Sequence, residues 1–131
     1  MRIIVDAYGG DNAPEAVLRG CRMAADQWKC EIILTGDGEK LREKAAEMGI
    51  SLEGMTIAEA PDVFPMEAEP TAIMKQYKDS SMARGLQMLA EGGGEALVSA
   101  GSTGALVVGG TLIVKRIKGV KRPAIGTVVP C

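Results

Sequence analysis

The chain of 131 residues has no histidine, one tryptophan, one phenylalanine and two tyrosines. Without imidazole a His-ligated metal site is excluded, and any acid–base chemistry falls to carboxylates, hydroxyls, ammonium groups and backbone amides. Aromatics at 3% are too sparse for the stacking platforms of single-strand nucleic-acid binders. A dominant charge is missing too. Lys and Arg number 15 and Asp and Glu 17, a net charge of −2, which argues against a protein held on nucleic acid by phosphate contacts. The three cysteines, Cys21, Cys30 and Cys131, are an odd set whose spacing fits neither a disulfide framework nor a zinc site. The longest apolar run, Ala105 to Val114, is broken by Gly109, Gly110 and Thr111 and falls short of the ~20 residues of a membrane span. The opening Met1-Arg2-Ile3-Ile4-Val5-Asp6 meets an acid at once, unlike a secretory leader. A cytoplasmic protein with reduced thiols is expected.

What is present is an ordinary globular balance, 47% apolar and 24% charged, with an excess of glycine, 17 residues. Short β-like runs alternate with helical ones. Strands are predicted over 2–6, 31–35, 55–60, 96–99 and 124–129. Helices are predicted from Pro14 to Trp28, with Asn12 as cap and Glu15 reaching back, over 39–48 with Gly49 as its stop, over 71–77, over 81–91, and from Ser102 to Lys118. Residues 61–70, with three prolines and three acids, read as a loop. Strand–helix alternation with short connections predicts one α/β domain over 1–131, a doubly wound, mostly parallel sheet with helices on both faces. Ending directly after a strand with no covering helix, the chain reads as part of a longer one.

In such sheets ligands sit beyond the carboxyl ends of the strands. Two glycine loops lie there. The first, Asp6-Ala7-Tyr8-Gly9-Gly10-Asp11-Asn12, allows close backbone approach through Gly9 and Gly10. Asp6 and Asp11 could orient donors, cap the helix or bind a cation, or Asp6 could simply hold a tight turn. The second, Ser99-Ala100-Gly101-Ser102-Thr103-Gly104-Ala105, offers three hydroxyls and backbone N–H groups to a phosphate or a developing oxyanion. Its alternative is a Ser-capped helix packed closely through its glycines. Neither loop is a dinucleotide fingerprint or a P-loop. Ser80-Ser81 behind Lys75 and Lys78 is a third candidate, as an anion clasp or as a plain cap with solvated lysines. Gly109-Gly110 inside an apolar helix implies close packing, and Cys21 reads as core.

Four stretches in order carry a resemblance: Met1–Ala7 with Gly9-Gly10-Asp11-Asn12-Ala13-Pro14; Lys78-Asp79-Ser80-Ser81-Met82; Val98 to Leu106; and Lys115-Arg116-Ile117-Lys118-Gly119 with Arg122-Pro123-Ala124. Together they resemble the first two-fifths of the bacterial phosphate acyltransferase (PlsX) family of phospholipid synthesis. Tyr8 departs from an expected methionine, and Ser102 from a commoner asparagine. The resemblance implies a fold similar to isocitrate and isopropylmalate dehydrogenases. It also implies transfer of a long-chain acyl group from acyl carrier protein to inorganic phosphate by a homodimer at the inner membrane surface, with no metal or organic cofactor. On that reading Ser102, Thr103 and Ser81 would be catalytic, and Asp6, Gly9, Gly10, Asp11, Lys78, Ser99, Gly101 and Gly104 would bind substrate or phosphate. A CoA-dependent phosphate acyltransferase and a non-catalytic anion- or nucleotide-binding module are the competing expectations.

Overall fold

A computed structural model describes residues 1–126, 128 and 129. Four parallel strands form one sheet: β1 (Arg2–Asp6), β2 (Glu31–Gly36), β3 (Met55–Glu59) and β4 (Ala96–Val98), in the order β3-β2-β1-β4. β1 lies at the centre, Val5 opposite Leu34 on one side and opposite Val98 on the other. Ile4, Ile32, Ile33 and Leu34 are buried, as strands covered on both faces require.

Two helices cover one face. α1 (Glu15–Trp28) and α2 (Gly38–Glu47) set Leu18, Cys21, Leu41 and Ala45 against Val5, Ala7, Ile32 and Leu34. The Lys44 ammonium bridges Glu15 and Glu47, at 3.2 and 2.9 Å, and so links the two helices. α2 starts on Asp37, whose carboxylate accepts from the Lys40 N–H at 3.2 Å, and stops at Gly49. There a φ of 67° lets the Ile50 N–H return to the Ala45 carbonyl at 2.8 Å.

The other face carries α3 (Ser81–Ala90), a 3₁₀ turn (Pro70–Met74) and α4 (Thr103–Gly109), which continues into a π turn (Gly110–Val114). Phe64, Ile73, Met82, Ala83, Leu86 and Ala105 form the core there. Gly85 lets α3 lie close to the sheet: a Cβ at this position would sit 2.8 Å from Leu97 Cδ1 and 3.4 Å from Ile4 Cγ2. Helices on both faces of a parallel sheet are the architecture expected from the strand–helix alternation.

Four local expectations change. Asn12 does not cap α1 through its side chain; Pro14 holds the N-cap position, and the Asn12 carbonyl accepts the Ala16 N–H instead. The 71–77 helix is only the 3₁₀ turn, entered at Pro70 and lost at Lys75, whose φ and ψ of −130° and −70° leave the helical region. The helix from Ser102 ends at Val114, with Lys115 at a φ of 76°. Gly109 and Gly110 weaken it, and Gly109 owes its place to packing against Leu86. The strand over 124–129 does not form among the described residues of that run. Ile125, Val128 and Val129 are exposed and beside no strand, and β-branched residues make a strand only where a ladder receives them. Thr127, within that run, and Cys131 lie outside the described residues.

Leu34→Ala, a fully buried truncation in an inner strand, is expected to destabilise the fold by about 2–5 kcal/mol. Met23→Ala, on the exposed side of α1, should stay within about 0.5 kcal/mol. Urea unfolding of both variants beside the parent chain measures the contrast.

Candidate functional site

The carboxyl end of the sheet is organised by one carboxylate. Asp6 ends β1 with its side chain on the α3 face, 2% exposed. Its Oδ1 accepts from the Ser81 hydroxyl at 2.6 Å and from the Tyr8 N–H at 3.3 Å; its Oδ2 accepts from the Ser99 hydroxyl at 2.8 Å. Ser81 opens α3 and Ser99 follows β4, so residues 75 and 93 positions away in the chain are drawn to one group. Bonds to a charged acceptor are worth roughly 1.5–3 kcal/mol each, which offsets much of the burial penalty. Burial pushes the Asp6 pKa above its ordinary 3.8, against the pull of Ser81, Ser99 and the Tyr8 and Gly9 amides.

Glycine sets the spacing of the two loops. A Cβ on Gly9 would lie 2.6 Å from Ser99 Oγ, 2.7 Å from Asp6 Oδ2 and 3.1 Å from the Ala100 nitrogen. Gly10, at a φ of 92°, faces the Ala100 Cβ at 2.9 Å from where its own would be. The Ser99 hydroxyl also accepts the Gly101 N–H at 3.3 Å, which tightens the turn that leads to Ser102.

The structure therefore brings together Asp6, Gly9, Gly10, Ser81, Ser99 and Gly101. Ser102, Thr103 and Gly104 continue the same loop, with Thr103 exposed. The Ser102 side chain makes no cap bond, so the Ser-capped alternative is not what forms, whereas the close glycine packing is. Gly104 meets Pro70, where a Cβ would come within 2.8 Å of Cγ, and Gly101 meets Met66. That wall from the 61–70 loop went unread in the sequence. Its signal was a proline-rich segment placed just ahead of the serine pair, with Pro70 starting a short helical turn. Ser80, the other serine, caps α3 by accepting from the Ala83 N–H at 3.3 Å.

Two candidates stand apart from this cluster. Asp11 is exposed. Lys78 lines a separate cleft of about 340 Å³ with Glu59, Asp79, Arg84 and Gln87. Tyr8 turns its ring onto Gly36, and its buried hydroxyl has no partner among the described residues. Burial, then the Asp37 charge, raises its pKa. Among the described residues no three His, Cys, Asp or Glu side chains converge as a metal site would require, and no helix is long and apolar enough to cross a membrane. Chemically, the cluster offers hydroxyls and amides held in fixed positions, with a buried acid as their anchor.

All 131 residues match the family described as fatty acid synthesis protein. The chain is 45% identical over 131 residues to the phosphate acyltransferase of Acetivibrio thermocellus, with 99% of the chain and 39% of that relative covered. The phosphate acyltransferase of Caldicellulosiruptor bescii gives the same identity and coverage. That of Pelotomaculum thermopropionicum is 43% identical over 132 residues, 38% of its length. The chain thus spans about two-fifths of the length of the curated relatives it matches.

The raised Asp6 pKa has a definite sign in stability. The folded state holds the Asp6 proton more tightly than the unfolded one, so its contribution is full below pH 3.8 and is lost as pH rises through the higher folded value. Asp37 acts in the other window. Its pKa is lowered by its bond to the Lys40 side chain, so its contribution is present above pH 3.8 and lost as pH falls below that. Asp6→Asn should therefore abolish a decline in melting temperature above pH 3.8 and leave the acid limb below it intact, as thermal melts from pH 2.5 to 7 of both proteins would show. Gly9→Ala should destabilise the chain by about 1–3 kcal/mol through its clash with Ser99, Asp6 and the Ala100 backbone, measured by urea unfolding.

Proposed function

We propose, from the premise that this chain belongs to the fatty acid synthesis protein family, that it forms the N-terminal part of an enzyme that moves a long-chain acyl group from acyl carrier protein to inorganic phosphate. The relatives' shared name, phosphate acyltransferase, supports the reaction class. The observation that carries the reading is the convergence of the β1 and β4 loops on Asp6, which presents Ser99 to Gly104 as one ordered turn at the carboxyl end of the sheet.

In the proposed reaction a phosphate oxygen attacks the thioester carbonyl carbon and forms the C–O bond. The C–S bond breaks, and the carrier thiolate leaves to take a proton from water. Phosphate is already anionic near neutral pH and needs positioning more than deprotonation, which suits a chain without histidine. Ser102 and Thr103 hydroxyls and the Gly101–Gly104 amides would hold phosphate or the carbonyl oxygen as charge develops on it. Asp6 would serve as a positioning residue. Both of its oxygens are taken by serine hydroxyls, so it holds Ser81 and Ser99 in place without facing an anion. Asp11 would lie at the rim of the first loop, and Lys78, in its separate cleft beside α3, would act on the incoming phosphate through its charge at a distance and not by contact. A homodimer, and peripheral contact with the membrane through parts outside these residues, complete the proposal.

The test uses the full-length protein, with hydroxylamine trapping of acyl phosphate. Ser102→Ala and Thr103→Ala should each lower kcat/KM for phosphate by about 10- to 100-fold, or about 1.4–2.7 kcal/mol of transition-state stabilisation. A CoA thioester that matches the carrier-protein thioester as donor would replace the carrier in this reading. Anion binding without any acyl phosphate would reduce the protein to a binding module.

A further inference from the structure

The face of the sheet that carries α1 ends in an uncovered groove. Between α1 and β4 lies a cavity of about 460 Å³, lined by Ile3, Val17, Ala24, Trp28, Ile32 and Val98. Trp28 is 67% exposed and Val98 54%, although full burial of large apolar side chains is worth roughly 1.5–3 kcal/mol each. Met1 at the rim is exposed as well. β4 bounds the groove, and among the described residues it pairs with β1 alone. Its outer row of N–H and C=O groups is therefore an open ladder beside an open apolar surface.

These two deficits constrain what covers the groove. An alkyl chain would fill the apolar surface and leave the β4 edge unpaired. A polypeptide that supplies a strand and an apolar helix answers both. We propose that the groove and the β4 edge form an internal seam, covered by the portion that phosphate acyltransferases carry beyond the stretch matched here: a strand beside β4 and a helix alongside α1. That portion is about three-fifths of the relatives' length, ample for both elements. The proposal rests on family membership and on the exposed face, and stands whether or not the acyltransferase reading does. The seam also abuts the site, because Ser99 and Ala100 follow directly on β4 and line the end of the groove. Covering it would fix the loop from its outer side as Asp6 does from within.

Cys30 lines the groove partly exposed, while burial of Cys21 pushes its thiol up to about 11 and keeps it unreactive near neutral pH. The experiment compares this chain alone with a chimera that joins it to the remaining three-fifths of the Acetivibrio thermocellus enzyme. Iodoacetamide labelling is read peptide by peptide, and hydrogen exchange is read at Ala96–Val98. In the chimera, Cys30 alkylation should slow at least 10-fold and β4 exchange at least 100-fold. Equal rates in both proteins would overturn the seam. So would a chain that already protects β4 by sedimenting as a dimer, which would assign the groove to a second copy. So would palmitate that protects Cys30 in the chain alone, which would make the groove a lipid pocket. A chimera without a cooperative melt moves the reading to the uncut Acetivibrio enzyme, where slow exchange in the strand aligned with Ala96–Val98 supports the seam and fast exchange overturns it.

Discussion

The Asp6 carboxylate sets the arrangement on which the rest of the carboxyl end depends. A buried carboxylate is costly unless donors surround it. Here the donors come from the start of α3 and the end of β4, with a backbone amide of its own loop. Three separate connections of the α/β fold therefore cannot move independently. Ser81 fixes where α3 meets the sheet, Gly85 fixes how closely it lies, and Ser99 fixes the direction in which the chain leaves β4. Replacing either hydroxyl with a methyl would leave a charge without its partner, a larger penalty than the loss of one bond suggests.

Close approach at this end is a second constraint, and it explains the glycines of the two loops better than flexibility does. Gly9 and Gly10 sit against Ser99 and Ala100, Gly104 against Pro70, and Gly101 against Met66. Gly9, Gly10 and Gly104 are small because other atoms stand where a side chain would begin, and Gly101 because its φ of 132° suits glycine. The 61–70 loop, which lacks regular structure through most of its length, becomes the outer wall of the second glycine loop. The turn of Ser99 to Gly104 is thus enclosed by Asp6 on one side and by Met66 and Pro70 on another.

The parallel sheet was legible from its β-branched runs, because strands covered on both faces are continuously apolar and bounded by glycine. The Gly49 stop and the Ser80 cap were legible for similarly local reasons. Asn12, the 71–77 turn, the end of the helix after Ser102 and the run 124–129 were misread where a tertiary condition decides. Glycine packing against Leu86 and a missing strand neighbour have no short-range signature, whereas Pro14 and Pro70, which stand at the entries of their elements, are local signals. At the site, both glycine loops and Asp6 were visible as candidates. The bonds from Ser81 and Ser99 to Asp6 were not, because they join positions 75 and 93 residues apart. One of the readings weighed for Asp6, a residue that holds a turn together, is what its contacts show, though the turn it holds spans three loops instead of one.

The chemistry this end of the molecule can support follows from those constraints. The Ser81 and Ser99 hydroxyls are engaged on Asp6, that buried acid favours its proton more than a free carboxyl does, and the chain holds no imidazole. A site of this kind is poorly equipped to shuttle protons and well equipped to hold a reactant that arrives already charged. Oxyanion chemistry rewards that combination, since preset donors need no reorganisation as charge moves from nucleophile to carbonyl oxygen. A metal hydrolase or a histidine-based transferase would place different demands on the same loops, chiefly convergent ligands or a titrating base. In the proposed reaction the aspartate of β1 would be the anchor that sets donor positions for an anionic reactant, with the carbonyl chemistry taking place on the loop it holds.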